Sequence, residues 1–211
     1  MVDTTARHRL DESLASRPVD PADHVADPGP LGLAGFALST FMLSCFNAGL
    51  VPTALEAVVL PVALFYGGAA QLLAGMWEFR KANTFGAVAF TSYGAFWLSF
   101  AAYVKFIAPG LPVADAGTAT GLFLLAWTIF TAYMTVAAWR TTGAVAAVFV
   151  VLLVTLIFLT VAELGDSATA GHIGGYLGLL TAALAWYASF AGVANATWKR
   201  AVLPVFPMAA R

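Results

Sequence analysis

Residues 144–162 read AVAAVFVVLLVTLIFLTVA. This is a continuous apolar run with no charged side chain, nearly the length a helix needs to cross the hydrocarbon core of a bilayer, about 20 residues. It does not alternate between apolar and polar positions, as a strand of an outer-membrane barrel would. Backbone polar groups facing lipid must be satisfied within their own segment, so the run is expected to be a transmembrane helix.

Working outward from it, five more runs have the same character: Gly32 to Val51, Leu55 to Trp77, Thr84 to Ala108, Ala119 to Trp139 and Ile173 to Ala196. The breaks between them are Val51-Pro52-Thr53, the polar stretch Glu78 to Asn83, Pro109-Gly110-Leu111-Pro112, Arg140 to Gly143, and Glu163 to Gly171. Such stretches punctuate helices. The composition agrees. Of 211 residues, 61% are hydrophobic and 10% charged, where a soluble domain carries about a quarter charged. The expected fold is an all-α membrane protein with six transmembrane helices bundled around a central path.

Residues 1–26 differ from the rest. Arg7, Arg9 and Arg17 mix with Asp3, Asp11, Glu12, Asp20 and Asp23, and Pro18 and Pro21 interrupt any helix. The segment is expected to be a cytoplasmic tail, and no apolar region follows a short basic start as in a signal peptide. Residues 27–204 are expected to form a six-helix transmembrane domain, and residues 205–211 a short cytoplasmic tail. With the amino terminus inside, nine of the ten Lys and Arg residues fall on one side and only Lys105 on the other. That asymmetry places both termini in the cytoplasm of a multi-pass inner-membrane protein.

Several functions are excluded by composition. A net charge of −1 offers no basic field for nucleic acid. The single Cys45 excludes an intrachain disulfide and a cysteine-cluster metal site, and His172 stands without a ligand cluster. No cofactor or metal is expected. No Asp, Glu, Arg or His lies deep in a span, which disfavours an intramembrane enzyme and a buried proton relay. A sensory or scaffold role would need a partner domain, and the tail is too short to be one. The spans instead carry neutral polar groups: Ser39, Thr40, Ser44, Asn47, Gln71, Thr91, Ser92, Tyr93, Ser99, Thr128 and Thr131. Taken singly, these hold helices together. Taken as a set, they can line a narrow uncharged path. Gly67 and Gly68 serve either close packing or exposure of backbone carbonyls, and the small-residue spacing of Gly171, Gly174, Gly175 and Gly178 favours close helix packing.

Three strings are more specific: Asp27-Pro28-Gly29-Pro30-Leu31-Gly32-Leu33; Phe65-Tyr66-Gly67-Gly68 with Gln71, Ala74 and Gly75; and Asn83-Thr84-Phe85-Gly86 leading to Phe90-Thr91-Ser92-Tyr93-Gly94 and Phe96-Trp97. In this order they resemble the acetate uptake transporter family, which includes the bacterial succinate–acetate permeases. The resemblance covers residues 27 to 204. It implies a homo-hexamer with a path in each protomer, and proton-linked uptake of acetate and related short monocarboxylates, in some members succinate. It also implies an apolar constriction of Phe36, Tyr93 and Leu152, and a family asparagine at Asn47. Polar lining is expected from Asn47, Gln71, Thr91, Ser92 and Tyr66. The inner-mouth motif is Asp27, Pro28, Pro30 and Gly32, with Asp27 standing where the family has asparagine. Partners are the small acid, protons and the bilayer. The alternative reading is a pore for another small neutral solute, such as ammonia or water.

Overall fold

A computed structural model describes residues 25–208; the expected amino-terminal tail, up to residue 24, lies outside the described residues, as do residues 209–211. Six helices long and apolar enough to span a membrane follow one another: α1 (Gly29–Asn47), α2 (Thr53–Arg80), α3 (Thr84–Gly110), α4 (Val113–Ala138), α5 (Gly143–Leu164) and α6 (Ala168–Trp198). Large apolar side chains point outward around the bundle; Phe65 is 75% exposed and Val136 73%. Monomeric water-soluble proteins rarely leave so much contiguous apolar surface bare.

Helix ends are set by local chemistry. Asp27 Oδ1 accepts from the Gly29 amide at 2.9 Å, an Asx turn that starts α1 ahead of Pro30. Asn83 caps α3 by accepting from the Gly86 amide, and its Nδ2 donates to Glu78 Oε2 at 2.8 Å. Thr142 and Ser167 cap α5 and α6 through the Val145 and Ala170 amides.

Two spans are irregular. In α2 a 3-10 segment, Thr53–Val58, leads into a turn of α-helix, Val59–Val62, then a π-helical stretch, Ala63–Ala70, before regular helix resumes at Gln71–Arg80. Pro61 has no amide hydrogen to donate, and the wide turns begin two residues after it. In α3 the regular Thr84–Ala102 gives way to π-helical Tyr103–Ile107 and a 3-10 turn, Ala108–Gly110.

α1 packs on α6, α6 on α5, α5 on α4, and α2 on both α1 and α3. Small residues allow this. A Cβ on Gly175 would lie 2.6 Å from Ala48 Cα and closer still to the Ala48 amide, so α6 and α1 touch backbone to backbone. A Cβ on Gly67 would overlap Ser39 Oγ and meet Trp97 at 2.9 Å, so this glycine seats the π-helical stretch against α1 and α3. Between α3 and α4 the contact is made largely by rings and two hydrogen bonds, Tyr93–Thr131 and Tyr103–Thr120, each 2.8 Å. Residues 205–208 lie along the start of α5: the Gly143 amide donates to the Phe206 carbonyl at 2.7 Å and the Met208 amide to the Thr141 carbonyl at 3.0 Å.

Candidate functional site

Inside the ring of helices three cavities succeed one another. The first, of about 50 Å³, is lined by α1 (Phe36, Thr40, Leu43, Ser44, Asn47), α3 (Tyr93, Phe96, Trp97), α4 (Trp127) and α5 (Leu152, Thr155, Leu156, Leu159). The second, of about 20 Å³, is bounded by Leu33, Phe36, Gln71, Ala89, Phe90, Tyr93, Val148, Phe149 and Leu152. The residues common to both are Phe36, Tyr93 and Leu152. They come from three different helices, are 6%, 5% and 6% exposed, and form the partition between the two spaces. The Phe36 and Tyr93 rings stand 5.5 Å apart at 58°, and Phe130 and Phe149 buttress Tyr93 at 5.4 and 6.0 Å.

Leu33, Ala89, Phe90 and Phe149 line both the second cavity and a third, an open vestibule of about 680 Å³. The vestibule sits at the end of the bundle where α1, α3 and α5 begin. Asp27, Pro30, Glu78, Asn83, Arg140, Thr141 and Asn195 are at its walls. Charge is thus held to the mouth, and the two inner cavities carry no Asp, Glu, Lys, Arg or His in their linings. At the opposite end Lys105 and Glu56 share a separate cavity of about 330 Å³ between α2 and α3.

Buried polar atoms without a hydrogen-bond partner among the described residues sit next to this path. Thr40 Oγ1 and Trp97 Nε1 belong to residues lining the first cavity, and Gln71 Oε1 to one lining the second. A fourth such atom, Thr91 Oγ1, belongs to a residue that lines neither cavity. An unmatched buried polar group costs about 1–3 kcal/mol.

Of the residues expected on the path, Phe36, Tyr93, Leu152, Asn47 and Gln71 line the cavities, and Asp27 and Pro30 line the vestibule. Thr91, Ser92 and Tyr66 line none of the cavities, nor do Pro28 and Gly32. The reason is angular. Thr91 and Ser92 lie two and one positions before Tyr93, so they point about 200° and 100° away from it around α3. Thr91 Oγ1 turns to α2, close to where a Cβ on Gly75 would be. Tyr66 contributes its backbone to the contact with Gly35 of α1. Thr40 and Ser44, from the set of neutral polar residues in the spans, also line the first cavity. Residues missed from sequence are Trp97, Trp127 and Thr155. A helical signal was present for two of these: Trp97 is four positions after Tyr93, and Thr155 three after Leu152.

Comparison with known proteins agrees with this architecture. The family model described as the GPR1/FUN34/yaaH family matches residues 13–210. The chain is 40% identical over 205 residues to Ammonia transport outward protein 2 of Saccharomyces cerevisiae, covering 95% of this chain and 71% of that one. It is 38% identical over 183 residues to the Succinate-acetate/proton symporter SatP of Escherichia coli K12, covering 86% of this chain and 95% of that one. Acetate permease A of Emericella nidulans is 40% identical over 197 residues, 85% of this chain and 65% of its own. Among solved structures, that of the bacterial acetate channel SatP superposes with a TM-score of 0.80 at 37% identity, over 86% of this chain and 99% of that chain. The chain therefore belongs to the GPR1/FUN34/yaaH family, a family of membrane transporters and channels that includes acetate permeases and not a family of enzymes.

Proposed function

We propose that this protein is a permease for acetate and related short monocarboxylates, in which each protomer conducts the acid between Phe36, Tyr93 and Leu152, linked to protons. The observation that carries this reading is the partition itself: two aromatic rings and one aliphatic chain divide the first cavity from the one leading to the vestibule. Such a gap offers no charge to replace the water an ion must shed. A small carboxylic acid loses less on dehydration when protonated, so inward flux carries a proton without any buried carboxylate relay. Unpartnered Thr40 and Trp97 receive the carboxyl group on one side of the partition, and Gln71 on the other. Relatives named for acetate or succinate–acetate transport support the substrate class.

On the same reading the vestibule faces the cytoplasm, because the ends of α2, α4 and α6 carry Arg80, Lys81, Arg140, Lys199 and Arg200 on its side. The protein sits in the inner membrane as a homo-hexamer, residues 27–204 form the permease unit and residues 1–26 lie in the cytoplasm. Asp27 and Glu78 stand with Arg140 at the inner mouth, which carries charge of both signs.

A second reading, ammonia conduction, draws on the name of the yeast relative and on the same uncharged path. Reconstitution separates the two. Labelled acetate uptake into vesicles, above that of empty vesicles and competed by propionate and lactate, supports the acetate reading. Ammonia flux without acetate flux replaces it with the second.

A further inference from the structure

The hydroxyl of Tyr93 is the one polar group contributed by the three residues of the partition, and its hydrogen bond has a direction that can be deduced. Thr131 on α4 is completely buried. Its Oγ1 lies 2.8 Å from the Trp127 carbonyl and 2.8 Å from Tyr93 Oη. A carbonyl only accepts, and a threonine hydroxyl has one hydrogen. That hydrogen goes to Trp127, one turn back on the same helix, a usual position for a helical threonine. With no hydrogen between them, Thr131 and Trp127 would hold two oxygens in repulsive contact. Thr131 therefore accepts from Tyr93. The same arrangement recurs ten residues along α3: Tyr103 Oη meets Thr120 Oγ1 at 2.8 Å, and Thr120 bonds the Ala116 carbonyl at 3.0 Å.

We infer that Thr131 is a specificity-determining positioning residue: by taking the Tyr93 hydrogen it leaves the three residues of the partition, Phe36, Tyr93 and Leu152, with no hydrogen-bond donor to offer, so that at this point the neutral acid passes in preference to its anion. A carboxylate needs donors where its water is stripped; a protonated carboxyl group brings its own. The rings and chains packed at the partition, Phe36 and Leu33 of α1, Phe130 of α4, and Phe149 and Leu152 of α5, are apolar; the polar side chains nearest to it, Thr40, Gln71, Trp97 and Trp127, line the cavities on either side. The titratable neighbour is Tyr133 of α4, while Asp27, Glu78 and Arg140 stand away in the vestibule. The inference rests on the acetate reading above.

The test is protein-dependent uptake of labelled acetate at fixed total concentration, at about pH 5.5 and about pH 7.5. Carboxylic acids ionise near pH 4.3, so the neutral fraction falls roughly 100-fold over that interval. The quantity read is the ratio of the two fluxes. Thr131→Val removes the acceptor, frees the Tyr93 hydrogen for the path and is expected to raise the flux at high pH about tenfold relative to that at low pH, the size of a charge-assisted hydrogen bond. Thr131→Ser keeps the acceptor and the steep wild-type ratio. Thr131→Val combined with Tyr93→Phe has no hydroxyl to release and returns to the steep ratio. Tyr93→Phe alone, at whatever absolute rate, also keeps it. A flattened profile in Tyr93→Phe, or an unaltered one in Thr131→Val, overturns the assignment. Wild-type protein that carries no acetate overturns the acetate reading itself, and the two failures are thereby told apart.

Discussion

Phe36, Tyr93 and Leu152 reach the same point from α1, α3 and α5, and each does so with a side chain that fills space and brings no charge. Closing a path in this way makes its selectivity a matter of size and dehydration. Leu152→Ala removes three carbons from the partition and joins the cavities on either side. Flux of larger monocarboxylates relative to acetate is then expected to rise several-fold, since one methylene in an apolar pocket is worth roughly 10-fold or more in discrimination. Competition of labelled acetate uptake by lactate in the variant and the wild type checks this. At this scale the sequence was legible by motif and less so by residue type. The Thr-Ser-Tyr-Gly string pointed to Tyr93, but hydroxyl groups at Thr91 and Ser92 and a phenol at Tyr66 were equally polar choices. Polarity says that a side chain wants a partner; angular position on the helix decides where the partner is.

At the scale of the element, every span was legible as an apolar run, because crossing hydrocarbon leaves a compositional mark. Helix ends were not, since caps fix them and apolarity does not. α4 begins at Val113, six residues before the apolar run, after Pro112. α6 begins at Ala168, five residues before, because Ser167 caps it and its early glycines are seated on α5 (Gly171, Gly174) and α1 (Gly175, Gly178) and do not break it. The π-helical stretches in α2 and α3 were invisible, as nothing in residue type distinguishes a wide turn from a regular one. Close seating carries its own prediction. Gly175→Leu drives a side chain into the backbone of Ala48 and is expected to cost about 1–3 kcal/mol, read as a lowered thermal midpoint in detergent. Gly110, with no heavy atom within 4 Å of a Cβ placed on it, is the control, and Gly110→Leu is expected to shift stability by less than about 0.5 kcal/mol.

For the whole molecule, charge is segregated between the two ends and kept out of the middle. Arg80, Lys81, Arg140, Lys199 and Arg200 cluster around the vestibule end, and Lys105 and Glu56 mark the other. In cells, on a Cys45→Ala background, a membrane-impermeant thiol reagent is expected to label Asp115→Cys from outside and to reach Lys199→Cys only after permeabilisation. Reversed labelling would invert the bundle and place the vestibule outside.

On the permease reading, solute crosses the membrane within one protomer, between Phe36, Tyr93 and Leu152. The direct measurement is acetate uptake by Leu152→Trp, whose larger ring fills the gap, beside Val154→Trp, whose ring points out from the same helix at a position 37% exposed. Leu152→Trp, purified with the same elution profile and thermal midpoint as Val154→Trp, is expected to lose nearly all protein-dependent uptake while Val154→Trp retains it. Uptake by Leu152→Trp at the rate of Val154→Trp would mean that the solute travels elsewhere.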